Sequence, residues 1–373
     1  MRRVVLVGAG HAHLHIVRHA AVLRAAGVDP ILVAPPLFHY SGLATGVLSG
    51  ALSGGQAQID IAALASHFGV QHFAAEATAI DRPGRCLRLT DSQDLTFDAV
   101  SLNVGSVTPD PGGLGRGLDV WPTKPLTGLI DLRARVESHI RERGASPAIV
   151  VAGGGLSGFE IAAALAGLAE RKGAYPRIHL VMKSPATWAP RQAITRLSAA
   201  LRRRGVVLLS DEVVERGVAT CELSGGRRLP CDMLVLAAGL SAAPIVASLG
   251  LPLSGDGRLR LGPTLQSLSD PAIFAAGDCS AVEGFPRPAA GVFGVRAAPV
   301  LLHNLAALGS GEPLRRYVPQ RRWLSIMDLG DGTGLGMRGQ LWWMGRSALA
   351  LKRRIDLGFV GRMRAPSGEP LQD

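Results

Sequence analysis

Two short glycine-rich turns stand far apart in this chain, each after an apolar strand and each opening a helix. The first is Gly8-Ala9-Gly10-His11-Ala12-His13, following Arg3-Val4-Val5-Leu6-Val7. The second is Gly153-Gly154-Gly155-Leu156-Ser157-Gly158, following the apolar run 148–152. A dinucleotide pyrophosphate needs backbone N–H groups at a helix N-terminus and no side chains in its way, and glycines meet both needs. Two such units restrict the fold to a pair of doubly wound α/β domains.

The surrounding sequence repeats the same grammar. After the first turn, Leu14, Val17 and Ala21 mark one face of a helix reaching about Ala26, with Gly27 as its stop and Ile31-Leu32-Val33 as the next strand. After the second, an Ala-rich helix reaches about Lys172, Gly173 ends it, and the run 178–182 follows as a strand. Two further strand-like runs end in Ala238-Gly239 and Gly277-Asp278. The 373 residues suffice for two cores and an appendage. The expected layout is one Rossmann-like domain over 1–115 and 241–315, a second inserted at 116–240, and a C-terminal segment over 316–373.

The two turns differ in detail. Gly153, Gly155 and Gly158 complete the G-x-G-x-x-G pattern, whereas the first turn keeps Gly8 and Gly10 and puts His13 in the third place. Asp278, at the end of a strand, supplies a carboxylate that can accept hydrogen bonds from the ribityl chain of a flavin. The acid that binds a ribose 2′-hydroxyl at the end of the second strand is missing twice. Its place is held by Ala34-Pro35 in one unit and by Lys183-Ser184 in the other, with Arg191 nearby. Lys183 is either a receptor for the 2′-phosphate of NADPH or a solvated surface lysine. His11, His13, His15 and His19 have no carboxylate or cysteine among them, so no metal site is expected.

The charge is uneven. Of the net +11, most lies in residues 313–364, which hold eleven Arg or Lys against Asp328, Asp331 and Asp356. Trp342, Trp343, Leu349, Leu351, Ile355, Leu357 and Phe359 are interleaved with Arg346, Lys352, Arg353, Arg354 and Arg362. That mixture suits an interfacial helix on an anionic membrane surface, with an acidic protein as the alternative partner and no nucleic acid. Capping of a core or a homodimer interface is the other use for the tryptophans. Two uncharged stretches, 30–59 and 233–255, are long enough for membrane spans, but their Gly, Pro and Ser content favours strands and loops. No signal peptide precedes the first strand, and Cys86, Cys221, Cys231 and Cys279 form no CxxC or CxxxxC pair. Both features suggest a reducing, cytoplasmic setting, peripheral to the membrane's inner face.

Several segments together resemble the pyridine nucleotide-disulfide oxidoreductase superfamily. Within it the chain is similar to the type II NADH dehydrogenase-like branch, and to the subgroup found with selenide, water dikinase. The segments are Gly8–His13, Tyr40-Ser41-Gly42, Ile59-Asp60-Ile61, Ser101–Ser106, Lys124-Pro125, Gly153–Glu160, Ala276-Gly277-Asp278, Ala290–Arg296, and Leu351-Lys352 with Ile355-Asp356. The resemblance implies an FAD-dependent NAD(P)H oxidoreductase that passes hydride to FAD and then to a quinone or another acceptor. It places FAD on Gly8, Gly10, His11, Ala12, Ser41, Gly42, Gly105 and Asp278, with the segment at Phe293 covering the isoalloxazine. It places NAD(P)H on Gly153, Gly155, Gly158, Lys183 and Gly239, with Glu160 as the acid beside the nicotinamide. The superfamily's redox disulfide is absent. So is the glutamine-bearing quinone motif, since residues 289–298 read Ala-Ala-Gly-Val-Phe-Gly-Val-Arg-Ala-Ala.

Overall fold

The structure, a computed structural model, describes residues 1–109 and 119–364. Near-continuous runs of Val, Ile and Leu make strands that are buried on both faces, as parallel sheets require. In chain order, β1 (Arg2–Val7) leads through the first glycine turn into α1 (His11–Arg18), followed by β2 (Val28–Val33), β3 (Gln71–Phe73) and β4 (Ala99–Leu102). Next come β5 (Asp119–Pro122), β6 (Ala148–Ala152), α2 (Leu156–Arg171), β7 (Arg177–Met182), β8 (Val206–Ser210) and β9 (Met233–Leu236). The chain then returns with β10 (Ile273–Ala275) and α3 (Gly291–Ser310). It finishes with β11 (Ser325–Asp328), β12 (Gly334–Arg338), β13 (Leu341–Gly345) and α4 (Arg346–Met363).

Two parallel five-stranded sheets result, ordered β10-β4-β1-β2-β3 and β5-β9-β6-β7-β8. In the first, Val5 pairs with Ile31 on one side and Val100 on the other. In the second, Val150 pairs with His179 and Leu234. Each sheet carries a three-stranded antiparallel meander before its last inner strand, built from residues 77–96 in one and 213–230 in the other. The same plan is therefore used twice. Between the sheets the chain crosses out at Ser106–Val107 and back at Ser241–Ala242, and these two segments pair antiparallel. The expected crossing at 115–116 lies outside the described residues.

The helix expected to run to Ala26 breaks at His19, which leaves helical geometry, and a second short helix covers Ala20–Ala25. The break shifts the phase of the buried face. Leu14 and Val17 point inward as expected, but Ala20 and Leu23 take the place of Ala21, which faces solvent.

The C-terminal segment is not a free appendage. β11, β12 and β13 form an antiparallel sheet. Its Met327, Leu329, Leu335 and Met337 join the core of the second sheet. The small residues of α2 let this sheet approach closely. A Cβ on Gly167 would collide with the Gly330 carbonyl oxygen. Arg204 donates to the Leu329 and Ala163 carbonyls, and Arg171 to those of Gly330 and Ser49. From there α4 crosses to the first sheet, where Phe359, Val360 and Met363 enter its core. The segment thus staples the two halves together.

The stretches 30–59 and 233–255 are strands, turns and short helices. Among the described residues one helix, α3, is long and apolar enough to cross a membrane, and half of its apolar window is buried in the protein. Phe293, Ala297, Leu301 and Leu305 line its inner face.

Candidate active site

The first glycine turn closes on β4. Gly8 has φ +85°, open to glycine, and a Cβ there would lie 2.7 Å from the Asn103 carbonyl oxygen. Gly10 packs against the Asn103 side chain just as tightly. The Asn103 carboxamide accepts from the Ala12 and His13 N–H groups at 2.9 and 3.2 Å and donates to the Ala276 carbonyl at 2.7 Å. It therefore ties α1, β4 and the Gly277-Asp278 turn into one unit. The Ala12 N–H, expected among the cofactor's contacts, is engaged by this side chain instead.

His13 explains the missing third glycine. Its buried ring spans the Gly8 carbonyl at 2.6 Å and the Ser101 hydroxyl at 2.8 Å, so both nitrogens are used. Burial lowers its pKa to about 4, which keeps it neutral. His11 sits further forward, with its ring against Phe38, Tyr40 and Phe359. Burial also lowers its pKa to about 4.

Asp278 is the charged centre of this cradle. One oxygen, Oδ2, accepts from Lys124 Nζ at 2.8 Å and from the Ser106 hydroxyl at 3.2 Å. Burial acts to raise its pKa, but Lys124 and Ser106 outweigh burial and hold it below the ordinary carboxylate value. The other oxygen, Oδ1, is buried with no donor among the described residues. A buried carboxylate oxygen without a donor is costly, and the ribityl hydroxyls of FAD would supply one. The residues present fit that cofactor.

Gly105, at φ +71°, turns the chain past this point. Ser41 is exposed at the start of a short turn. Gly42 makes room for Tyr40 and Asp356, since a Cβ would come 2.8 Å from Asp356 Oδ1. Phe293 stands in the first turn of α3. Its ring is only 1% exposed and lies in the core, edge-on to Trp323 at 5.1 Å. The start of α3 meets the cradle through Gly291 and Gly294 instead, which face His11.

The second glycine turn is left open. A Cβ on Gly158 would overlap the Gly153 carbonyl oxygen, so glycine is obligatory there. Gly155 caps α2 with no side-chain bond, and a Cβ on it would meet nothing within 4 Å. The N–H groups of α2 therefore face free space, which suits the pyrophosphate of NAD(P)H. Gly155, Leu156, Ser157 and Gly239 line one side of a cleft of about 290 Å³, and Ser106 and Asp278 line the other. The second turn and Asp278 thus line one cleft. Lys183 does not point to an isolated phosphate receptor, because its ammonium pairs with Glu212 at 2.8 Å.

Glu160 belongs to a second polar group, at the junction of α2, α4 and the short helix Ala44–Leu48. Its Oε1 accepts from the Thr45 hydroxyl at 3.0 Å and from the Asp328 N–H at 2.9 Å. Lys352 was expected on a basic surface. Its side chain is only 12% exposed and donates to Asp356 at 3.1 Å. Asp356 in turn accepts from the Tyr40 hydroxyl at 3.0 Å. Burial raises the pKa of Glu160 above the ordinary carboxylate value, against the pull of Lys352 and the two hydrogen bonds. Burial works against the Lys352 ammonium, but Glu160, Asp356 and Asp328 outweigh it and raise its pKa.

The model of the pyridine nucleotide-disulphide oxidoreductase family matches residues 2–299. The chain belongs to that family. As a pyridine nucleotide-disulphide oxidoreductase it is an FAD-dependent enzyme oxidising NAD(P)H. An NADH dehydrogenase-like protein of Mycobacterium tuberculosis is 30% identical over 306 residues, 75% of this chain and 73% of that one. The type II NADH:quinone oxidoreductase Ndh of the same species is 28% identical over 323 residues, covering 78% and 69%. In fold, the chain is similar to the sulfide:quinone oxidoreductase of Aquifex aeolicus, with a TM-score of 0.78 and 16% identity, covering 98% and 93%.

Asn103, Lys124, Tyr40, Lys352 and Asp356 all stand in segments that carry the family resemblance, yet their sequence positions gave them no role in the site. Only their convergence in space does.

Proposed function

We propose that this enzyme is an NAD(P)H:quinone oxidoreductase whose acceptor is handled by Glu160 and Lys352. The proposed layout puts FAD on the first sheet, NAD(P)H on the second, and the acceptor at the junction with α4. When bound, FAD supplies the two-electron relay between nicotinamide and acceptor. The observation that carries the reading is the buried cation Lys352 beside a carboxyl of raised pKa. A quinone leaving as quinol needs two electrons and two protons. Hydride brings both electrons and one proton, so a protein group must provide the other. Glu160 can hold that proton, and Lys352 can donate to a carbonyl that becomes an anion. The quinone activity named for the mycobacterial relative supports this choice.

The test separates the two half-reactions. Lys352→Met should still be bleached by NAD(P)H at the normal rate under anaerobic conditions. Its turnover with a short-chain ubiquinone should fall about ten- to hundredfold, as expected for a lost hydrogen bond from a charged group. Ferricyanide, which takes electrons without protons, should be reduced normally. Undiminished quinone turnover would remove Lys352 from the reaction and favour a protein acceptor. For localisation, Leu341, Leu351 and Ile355 remain exposed near Arg346 and Arg354, a smaller face than the sequence suggested. We assign it to the inner membrane surface, and sedimentation with anionic vesicles at low and high salt tests it.

A further inference from the structure

Arg287 stands in the segment leading into α3, and its side chain is only 9% exposed. Its Nη2 donates to the Gly277 carbonyl at 3.0 Å, the Ser280 carbonyl at 3.1 Å and the Ser280 hydroxyl at 3.2 Å. All three acceptors are neutral. Nε and Nη1 are buried and have no hydrogen-bond partner among the described residues. The guanidinium carbon lies 5.0 Å from the centroid of the Phe293 ring, a further weak attraction. Burial pushes its pKa down, with Arg258 adding to that effect and Tyr317, Asp278 and Cys279 opposing it. The carboxylate of Asp278 is already paired with Lys124.

A buried ion with no counter-charge is strongly unfavourable. The position of Arg287 indicates what offsets the cost. Along the cradle, the pyrophosphate belongs at the glycine turn and α1, and the ribityl chain at Asp278. Pro288 and Ala289, which follow Arg287 and lead into the first turn of α3, line the cleft between Asp278 and the second glycine turn, where a flavin ring would have to meet the nicotinamide, so Arg287 stands on the ring side of Asp278. The first turn of α3 holds no acidic residue, and the positive end of the helix dipole adds to the guanidinium. When NAD(P)H gives up a hydride it leaves as NAD(P)⁺. The cofactor then holds two more electrons and one more proton, and is one unit more negative.

We propose that Arg287 is the counter-charge for the reduced cofactor, so that it sets the reduction potential of the bound flavin. This rests on FAD occupying the Asp278 cradle but not on quinone being the acceptor.

The experiment equilibrates the FAD-loaded enzyme with a reference dye during slow anaerobic reduction, using neither NAD(P)H nor quinone. Arg287→Gln should bind the reduced form at least tenfold more weakly relative to the oxidised form. For a two-electron couple that is a potential lower by about 30 mV. Arg287→Lys keeps the charge and should stay within threefold of the wild type. An unchanged potential in Arg287→Gln overturns the proposal, as does an equal fall in both variants. If Arg287→Gln does not retain FAD, Arg287→Lys decides alone, because it loses the geometry at Gly277 and Ser280 while keeping the charge. A potential within threefold of the wild type then supports the proposal, and a tenfold fall overturns it.

Discussion

The two glycine turns solve one backbone problem in opposite ways. At the NAD(P)H turn, Gly158 leaves out a side chain because any Cβ would overlap the Gly153 carbonyl. At the FAD turn the corresponding residue, His13, fills the space and bonds the equivalent carbonyl, that of Gly8. The N–H groups of α1 are then partly taken by Asn103, whereas those of α2 receive no side-chain cap. One turn is cross-linked to its own sheet and the other is left free. The difference matches what each is proposed to hold. FAD stays through many turnovers and gains from a rigid cradle, while NAD(P)H must enter and leave in every cycle.

The largest expected effect breaks the first turn with acid. His13 is buried and neutral in the folded protein, with its pKa lowered from 6.5 to about 4. Between those values the unfolded chain binds a proton that the folded one does not. The stabilisation is complete above pH 6.5 and is lost as pH falls towards 4, about 3 kcal/mol for this one group. His11 titrates in the same direction. Urea unfolding of the FAD-loaded protein should therefore show stability dropping steeply over that window, with flavin released. His13→Gln should flatten the slope by roughly half. Equal slopes in both proteins would mean that His13 is not the acid-sensitive element.

A smaller effect should come from the open turn. Gly158→Ala forces the start of α2 away from Gly153, and overpacking of this kind costs about 2 kcal/mol. Bleaching of the flavin by NAD(P)H should slow about thirtyfold, while flavin content and its release in acid stay normal. Loss of flavin from this variant would show that the two turns are coupled rather than independent.

The comparison also shows what the sequence could reveal. The strands, both turns and Asp278 were legible because apolar runs ending in glycine are local signals. The gap left by the third glycine was visible at His13. Its filling was not, because Ser101 lies 88 residues away. Lys352 was misread for a related reason. Its neighbours in sequence are basic, but its partners Asp356, Glu160 and Asp328 come from a helix turn, another sheet's helix and a strand end. A charge pattern along the chain does not say which member turns inward. The burial of the Phe293 side chain was likewise not legible, although its segment meets the cradle through the glycines beside it.

The smallest effect concerns the outer end of each site. The FAD unit has uncharged Ala34-Pro35 where a ribose is read, and the NAD(P)H unit has Lys183 paired to Glu212. Only the site that exchanges its ligand carries charge there. Lys183 alone would favour a 2′-phosphate, and Glu212 both neutralises it and repels the phosphate. Lys183 is 73% exposed, so the pair is worth no more than about 1 kcal/mol. Glu212→Gln should therefore raise the preference for NADPH over NADH by about three- to fivefold, measured as the ratio of anaerobic bleaching rates. The gain should shrink between low and high salt, because these charges are screened. Lys183→Gln should lower NADPH use by a similar factor. If both variants keep the wild-type ratio, the pair lies outside the reach of the coenzyme and its choice is made elsewhere, with exposed Arg191 at the start of the next helix the cation to test next.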